Sequence, residues 1–302
     1  MEDVFLFLHI PKTGGTTLEH AVGHYTDRTN ERYLHHYHYV QNYSDHFLDA
    51  YHIPRLENRT KEQQEKIKII TGHSVACNSH KWLRVNKNPK IFSIIRHPVE
   101  RLLSSFNYRH RMTVLLQEKK PFAGSPPYLD DNARRQNKTA NDYNSLYEFY
   151  QDAEQEKNLQ CKWLIKCFYL YNNSTWQKMP KYIFGPDVGL DVDQAISNTH
   201  PDWFFFADKF DIDWFSFTET IFPELWHLDT TDNLDSFLPS FCAHAGLEYV
   251  DTEIKNKSSD TLVEPYWTLD DVMNQADIDK LINEEIHDFK LYETAKHWRK
   301  PF

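Results

Sequence analysis

Apolar and polar positions alternate in period along this chain, and the changes of period mark its elements. Val4 to Ile10, apolar except for His9, reads as a buried strand, and "TTLEHAVGHY" behind it as a helix. "KIKIITG" at 66–72 and "PKIFSIIR" at 89–96 read as a second and a third strand. Strand, helix and strand joined by short turns predict an α/β fold with a mainly parallel sheet. The polar segment from "RTNERYLHHYHYVQNYSDHF" onward has no clear period and reads as an insertion over one face, closing in a charged surface helix at "RLENRTKEQQEKIK". In "PVERLLSSFNYRHRM", Pro98 stands in a first helical turn ahead of apolar residues at helical spacing. The stretch 118–138, with Pro121, Gly124, Pro126 and Pro127, predicts a long loop, suited to a lid or an acceptor-contacting insert. Farther on, "NLQCKWLIKCFYLY" predicts a buried helix, "DWFFFAD" a buried strand, and 268–298 one or two helices.

Length and charge narrow the classes. A chain of 302 residues fits one domain, 1–302, with insertions near 27–65 and 112–145. Its formal charge of -10 argues against general binding of nucleic acid or membrane surfaces, so a polyanionic partner must meet a local basic patch. Cys77, Cys161, Cys167 and Cys242 form no CxxC pair, which indicates neither a zinc ribbon nor a disulfide scaffold. No stretch approaches the roughly 18 apolar residues of a membrane span. Glycosylation acceptor patterns at Asn42, Asn58, Asn137, Asn172, Asn173 and Asn256 matter only in a secretory compartment.

Candidate chemistry begins with "HIPKTGGTT" at 9–17. A strand ending in a glycine-rich turn before a helix presents backbone N–H groups and a positive dipole end to an anion. The nucleoside triphosphate loop puts its lysine after the second glycine, whereas Lys12 precedes Gly14 and Gly15. A P-loop kinase is disfavoured on that order, and a dinucleotide fingerprint lacks its third glycine.

Residues 9–17 resemble the 5'-phosphosulfate loop of sulfotransferases, most closely the form in Golgi-type carbohydrate enzymes of the heparan-sulfate 2-O and 6-O kind. "RHPVERLLSSF" is similar to the family's R-x-P-x-x-R-x-x-S motif for the donor's 3'-phosphate, with Arg96, Pro98, Arg101 and Ser104 in place. The family often continues S-x-Y, where this chain has Phe106. "NLQCKWL", "FFFADKFDIDWFSF", "KNKS" and "HDFKLYETAKHW" look like later family segments, so the likeness spans nearly the whole chain. It implies a P-loop-like three-layer fold with a central sheet flanked by helices. It also implies 3'-phosphoadenosine 5'-phosphosulfate as co-substrate, without a metal, and a hydroxyl-bearing acceptor, most naturally a saccharide.

The resemblance distributes roles. Lys12 stabilises charge on the departing bisphosphate; Thr13, Gly14, Gly15, Thr16 and Thr17 wrap the 5'-phosphate; Arg96 and Ser104, with Lys257 from the late loop, hold the 3'-phosphate. His73, just past the second strand, is the expected base for the acceptor hydroxyl, and Glu19 in the first helix, ahead of His20, is its rival. His35, His36 and His38 match no metal-ligand spacing and read as a solvated loop. Arg109, Arg111, Arg134, Arg135 and Lys138 either hold an acidic sugar or form a solvated face. A non-catalytic nucleotide-binding protein lacking a working base is the rival reading. The chain as given reads as cytoplasmic; the Golgi lumen applies if it is trimmed from an anchored protein.

Overall fold

A computed structural model describes residues 1–22, 33–35, 60–72, 75–117, 142–153, 156–169, 213–251 and 267–298. It opens on strand β1, Glu2–Phe7, where successive side chains enter different cores: Val4 and Leu6 pack in one cluster, Phe5 and Phe7 in another. That period of two, apolar on both faces, is the signature of a strand covered on both sides. Next come α1, Gly15–Ala21, β2, Tyr33–His35, α2, Lys61–Glu65, and β3, Ile69–Thr71. The chain continues through β4, Lys87–Ile95, α3, Pro98–Gln117, α4, Leu146–Asp152, and α5, Leu159–Tyr169. The remaining elements are α6, Trp214–Glu219, β5, His227–Thr230, α7, Leu234–Ala245, α8, Leu269–Val272, α9, Gln275–Glu284, and α10, Ile286–Lys296.

The five strands form one sheet in the order β2-β3-β1-β4-β5, and every described pairing is parallel. Three layers follow from the two-sided burial. Helices α5, α6 and α10 share the cluster of Val4, Leu6, Ile91 and Ile95, while α1 and α7 cover Phe5, Phe7, Phe92 and Ile94. A satellite core joins α3, α4, α8 and α9 through Leu102, Phe106, Phe149 and Leu281. The predicted α/β class with a parallel central sheet is therefore the observed one. From β1 the chain crosses toward β2, and from β4 toward β5, so the C-terminal ends of β1 and β4 flank the crevice where such sheets bind ligands. No helix among the described residues is long and apolar enough to cross a membrane.

Two sheet strands lie where the pattern predicted none. Tyr33–His35 joins the sheet edge, so part of the polar segment read as a solvated loop is a strand; at three residues it is too short to show a period. His227–Thr230 is a four-residue strand beside β4, and α7 after it carries Pro239 inside, which works against a helical reading. Three helices occupy the C-terminal stretch expected to hold one or two. The expected strand "DWFFFAD" and the loop 118–138 lie outside the described residues.

Candidate active site

The turn after β1 is shaped before it binds anything. Thr13, fully buried, donates its hydroxyl to the Ile10 carbonyl at 3.0 Å and closes the turn. Lys12 and Gly14 lie in the left-handed region at φ 69 and φ 86, a conformation that a glycine adopts freely and a lysine adopts only under constraint. Gly14 caps α1, which has no side-chain cap and no acid in its first turn. The first turn of a helix carries amides with no partner inside the helix, and a side-chain cap usually takes one of them.

Gly15 is required for space. A Cβ there would lie 1.9 Å from Nε2 of His9. His9 is buried, stacks on Phe7 with centroids 5.3 Å apart, and sets Nδ1 3.8 Å from Oε1 of Glu19, which is itself 1% exposed. Gly15→Ala is expected to cost about 1–3 kcal/mol by overpacking. Adding His9→Ala should give a double variant losing less than the two single losses summed, because the ring that clashes is gone. Thermal unfolding of the three variants checks this, and strictly additive losses would remove the contact from the account.

Across the crevice, Arg96 ends β4 in a main-chain clamp. Its N–H donates to Oε1 of Gln160 at 2.8 Å, and Nε2 of Gln160 donates back to its carbonyl, also at 2.8 Å. Gln160 is fixed in turn because α5 and α10 cap each other. Asp288 accepts from the N–H groups of Gln160 and Cys161 at 2.9 Å, and Oδ1 of Asn158 accepts from those of His287 and Asp288 at 3.2 Å. Burial, with the neighbouring Asp288 adding to it, pushes the Glu285 carboxyl in this joint up to about 8. The Arg96 guanidinium, held at 3.4 Å by Glu100, reaches the Lys12 carbonyl at 3.4 Å. Two motifs 84 residues apart thus touch. Ser104, on α3, is partly buried and its hydroxyl has no partner among the described residues.

The second arginine of that motif does something else. Arg101 is 1% exposed and grips Glu156, with Nη1 on Oε2 at 2.7 Å and Nη2 on the carbonyl at 2.8 Å. Arg109 and Ser105 hold the other carboxylate oxygen at 2.7 and 2.9 Å. Burial pushes Glu156 up, but Arg109 and Arg101 outweigh it and hold the carboxyl near 2. Arg109 is thereby engaged within the fold. Phe106 packs on Phe149 and Trp267, with ring centroids 5.2 and 5.3 Å away, in the satellite core.

Lys12 is the electrostatic centre of the crevice. Burial lowers its pKa to about 8, Arg96 and Arg111 add to the lowering, and Glu156 opposes it. Its Nζ rests 4.2 Å from the centre of the Tyr108 ring. In a chain of net charge -10, three cations meet at this point.

The structure brings together Lys12, Thr13, Gly14, Gly15, Thr16, Thr17 and Arg96, with Ser104 on the adjoining helix and Glu19 sealed beneath the loop. Thr16 is exposed and Thr17 buried. His73, Lys257, Arg134, Arg135, Lys138, His36 and His38 lie outside the described residues. Gly72, at φ 126, follows β3, whose parallel pairing with β1 delivers the chain to the same edge as the Lys12 turn. Among the described residues no group of His, Cys, Asp and Glu is arranged to hold a metal. Sequence reasoning missed His9, Tyr108 and Glu156. Only Tyr108 had a usable signal, four residues after Ser104 on the same helical stripe.

Residues 1–177, more than half of the chain, match the family model described as "Sulfotransferase family". The matched span includes the Lys12 turn, the Arg96 to Ser104 segment and Gln160. No curated protein matches the chain.

Proposed function

The chain belongs to the sulfotransferase family, and from that premise we propose that it moves a sulfuryl group from 3'-phosphoadenosine 5'-phosphosulfate to a hydroxyl, with a saccharide as acceptor. One observation carries the reading: the Arg96 guanidinium reaches the Lys12 carbonyl, a contact that supports the two motifs acting as one site. The uncapped start of α1, the left-handed turn and the cations around Lys12 fit a donor with two separate phosphate groups. When bound, that donor supplies a sulfuryl group on a stable leaving bisphosphate.

The remaining roles fall to the chain's own side chains. Gly14, Gly15, Thr16 and Thr17 wrap the 5'-phosphate through amides and hydroxyls, and Thr13 contributes its main chain, its hydroxyl being committed to Ile10. Arg96, Ser104 and Lys257 take the 3'-phosphate. Lys12 stabilises charge that grows as the sulfuryl group leaves, in a step dominated by positioning and electrostatics. His73 takes the acceptor proton. Glu19 is the second candidate, and its burial against His9 supports His73 over it.

The test uses donor carrying radioactive sulfur and a panel of saccharides. We expect label on at least one saccharide, with matching release of adenosine 3',5'-bisphosphate. His73→Ala should lose transfer yet still bind the bisphosphate. Tight bisphosphate binding by the wild type with no transfer to any hydroxyl compound would favour a nucleotide-binding protein without catalysis.

Bisphosphate binding should also be proton-linked. Lys12 titrates near 8 in the free protein, and an adjacent phosphate favours its charged form, so binding raises its pKa. Proton uptake should therefore be small at about pH 7 and approach one proton per ligand at about pH 9. Calorimetry in buffers of different ionisation enthalpy measures this; equal uptake at both values, or none in either, would contradict it.

A further inference from the structure

Lys12 is held at both ends. Its main chain is left-handed with the carbonyl on Arg96 at 3.4 Å, and its Nζ lies 4.2 Å from the Tyr108 ring centre. The charged groups facing it are Arg96 from the end of β4, Arg111 from α3, and Glu156 from the segment before α5. Two of these three are like charges, and Glu156 is already gripped by Arg101 and Arg109. A partly desolvated ammonium among cations needs a counterweight, and the ring face is in direct contact with it. Such a contact favours the charged lysine because the face of an aromatic ring carries the negative part of its quadrupole.

The ring's place follows from the helix. Tyr108 comes four residues after Ser104 and three before Arg111, so one stripe of α3 carries a hydroxyl, a ring and a guanidinium past the turn. Burial holds the phenol above its ordinary pKa although Arg111 pulls it down, so the ring stays neutral.

Building on the sulfuryl-transfer reading, we propose that Tyr108 is the positioning residue for Lys12, its ring face keeping the ammonium charged and in one place before the donor arrives. Tyr108 acts through Lys12 and touches no reacting atom. The phenolic oxygen is dispensable on this account and the ring is not.

The test compares Tyr108→Phe, Tyr108→Leu and Tyr108→Met. The first readout needs no donor: titration of the Lys12 ammonium by NMR in the free protein, its signal assigned by loss in Lys12→Ala. Tyr108→Phe should titrate as the wild type. Tyr108→Leu should move the midpoint down by about 0.5–1 pH unit, the worth of one such contact. In turnover, Tyr108→Leu should lower kcat about tenfold and bring the alkaline fall of kcat to lower pH, with the acceptor KM unchanged. Tyr108→Met, unbranched and space-filling, should repeat this if the leucine variant does not fold. A wild-type midpoint in the folded leucine or methionine variant overturns the proposal, as does a phenylalanine variant that behaves like leucine. The transfer reading fails separately: if Lys12→Ala keeps full turnover, sulfuryl transfer at this turn is wrong. If Lys12→Ala is inactive while the leucine variant titrates as wild type, only the role of the ring is lost.

Discussion

Lys12→Ala is expected to lower turnover by about a hundredfold to a thousandfold, the usual cost of removing one preorganised charge stabiliser. The fold should survive, because the turn is closed by Thr13 on Ile10 and by the Gly15 contact with His9, neither of which uses the Lys12 side chain. Removing a partly desolvated ammonium also relieves its repulsion with Arg96 and Arg111, so the variant should unfold no earlier than the wild type. Loss of rate with retained stability separates a catalytic lysine from a structural one. Full turnover in a folded Lys12→Ala variant would place the chemistry elsewhere.

The largest loss of stability is expected at Glu156, which is buried under the grip of Arg101, Arg109 and Ser105. Breaking a buried ion pair by removing one partner typically costs about 3–5 kcal/mol, because the other charge stays buried and uncompensated. Glu156→Ala takes the carboxylate from Arg101, which is 1% exposed and keeps the main-chain carbonyl at position 156. Against the roughly 5–15 kcal/mol stability of a typical domain, that is a large fraction. Replacing both partners by apolar residues, as in Glu156→Leu with Arg101→Met, should recover much of the loss. The pH dependence has a definite sign. A carboxyl held near 2 in the folded state and titrating near 4.5 when unfolded contributes stability that is fully present above the unfolded value and is lost as pH falls toward 2. Denaturant unfolding should show this acid loss in the wild type and a weaker one in Glu156→Ala.

The parts of the fold legible in the sequence were those whose signal is local. Val4 to Phe7 alternates between two cores and is too apolar for a surface strand, so β1 could be read directly. Pro98 opens a helix, and the apolar residues behind it keep helical spacing. Strands β2 and β5 were not legible, because neither sits in an apolar run like the one at 66–72 that marked the equally short β3, and both owe their strand form to the neighbours they pair with. The site divided in the same way. Lys12, the glycines and Arg96 were singled out from motif and order, and the structure brings them together. The reasons they sit where they do were not legible, since each is a contact distant in sequence: Gln160 clamping Arg96 across 64 residues, Glu156 tying down Arg101 across 55. The motif included Arg101 without giving it a contact, and the structure pairs it with Glu156. His9 looked like one polar interruption of a strand; only the packed structure shows its ring in the space that a side chain at Gly15 would need.

Nucleotide selectivity tests the central claim most directly. Adenosine 3',5'-bisphosphate should bind the Lys12 turn with one phosphate and Arg96 and Ser104 with the other, tying β1 to β4. At about a hundred times its dissociation constant it should add roughly 2.7 kcal/mol to stability, a clear rise in melting temperature. AMP and magnesium ATP, which lack the 3'-phosphate, should raise it much less. Arg96→Ala should shrink the advantage of the bisphosphate over AMP and leave the response to AMP itself nearly unchanged. Thermal unfolding of the wild type and Arg96→Ala with these three ligands gives the answer. The account predicts the order bisphosphate far above AMP and ATP, with the gap closing in the variant; magnesium ATP stabilising the wild type as well as the bisphosphate does would contradict it.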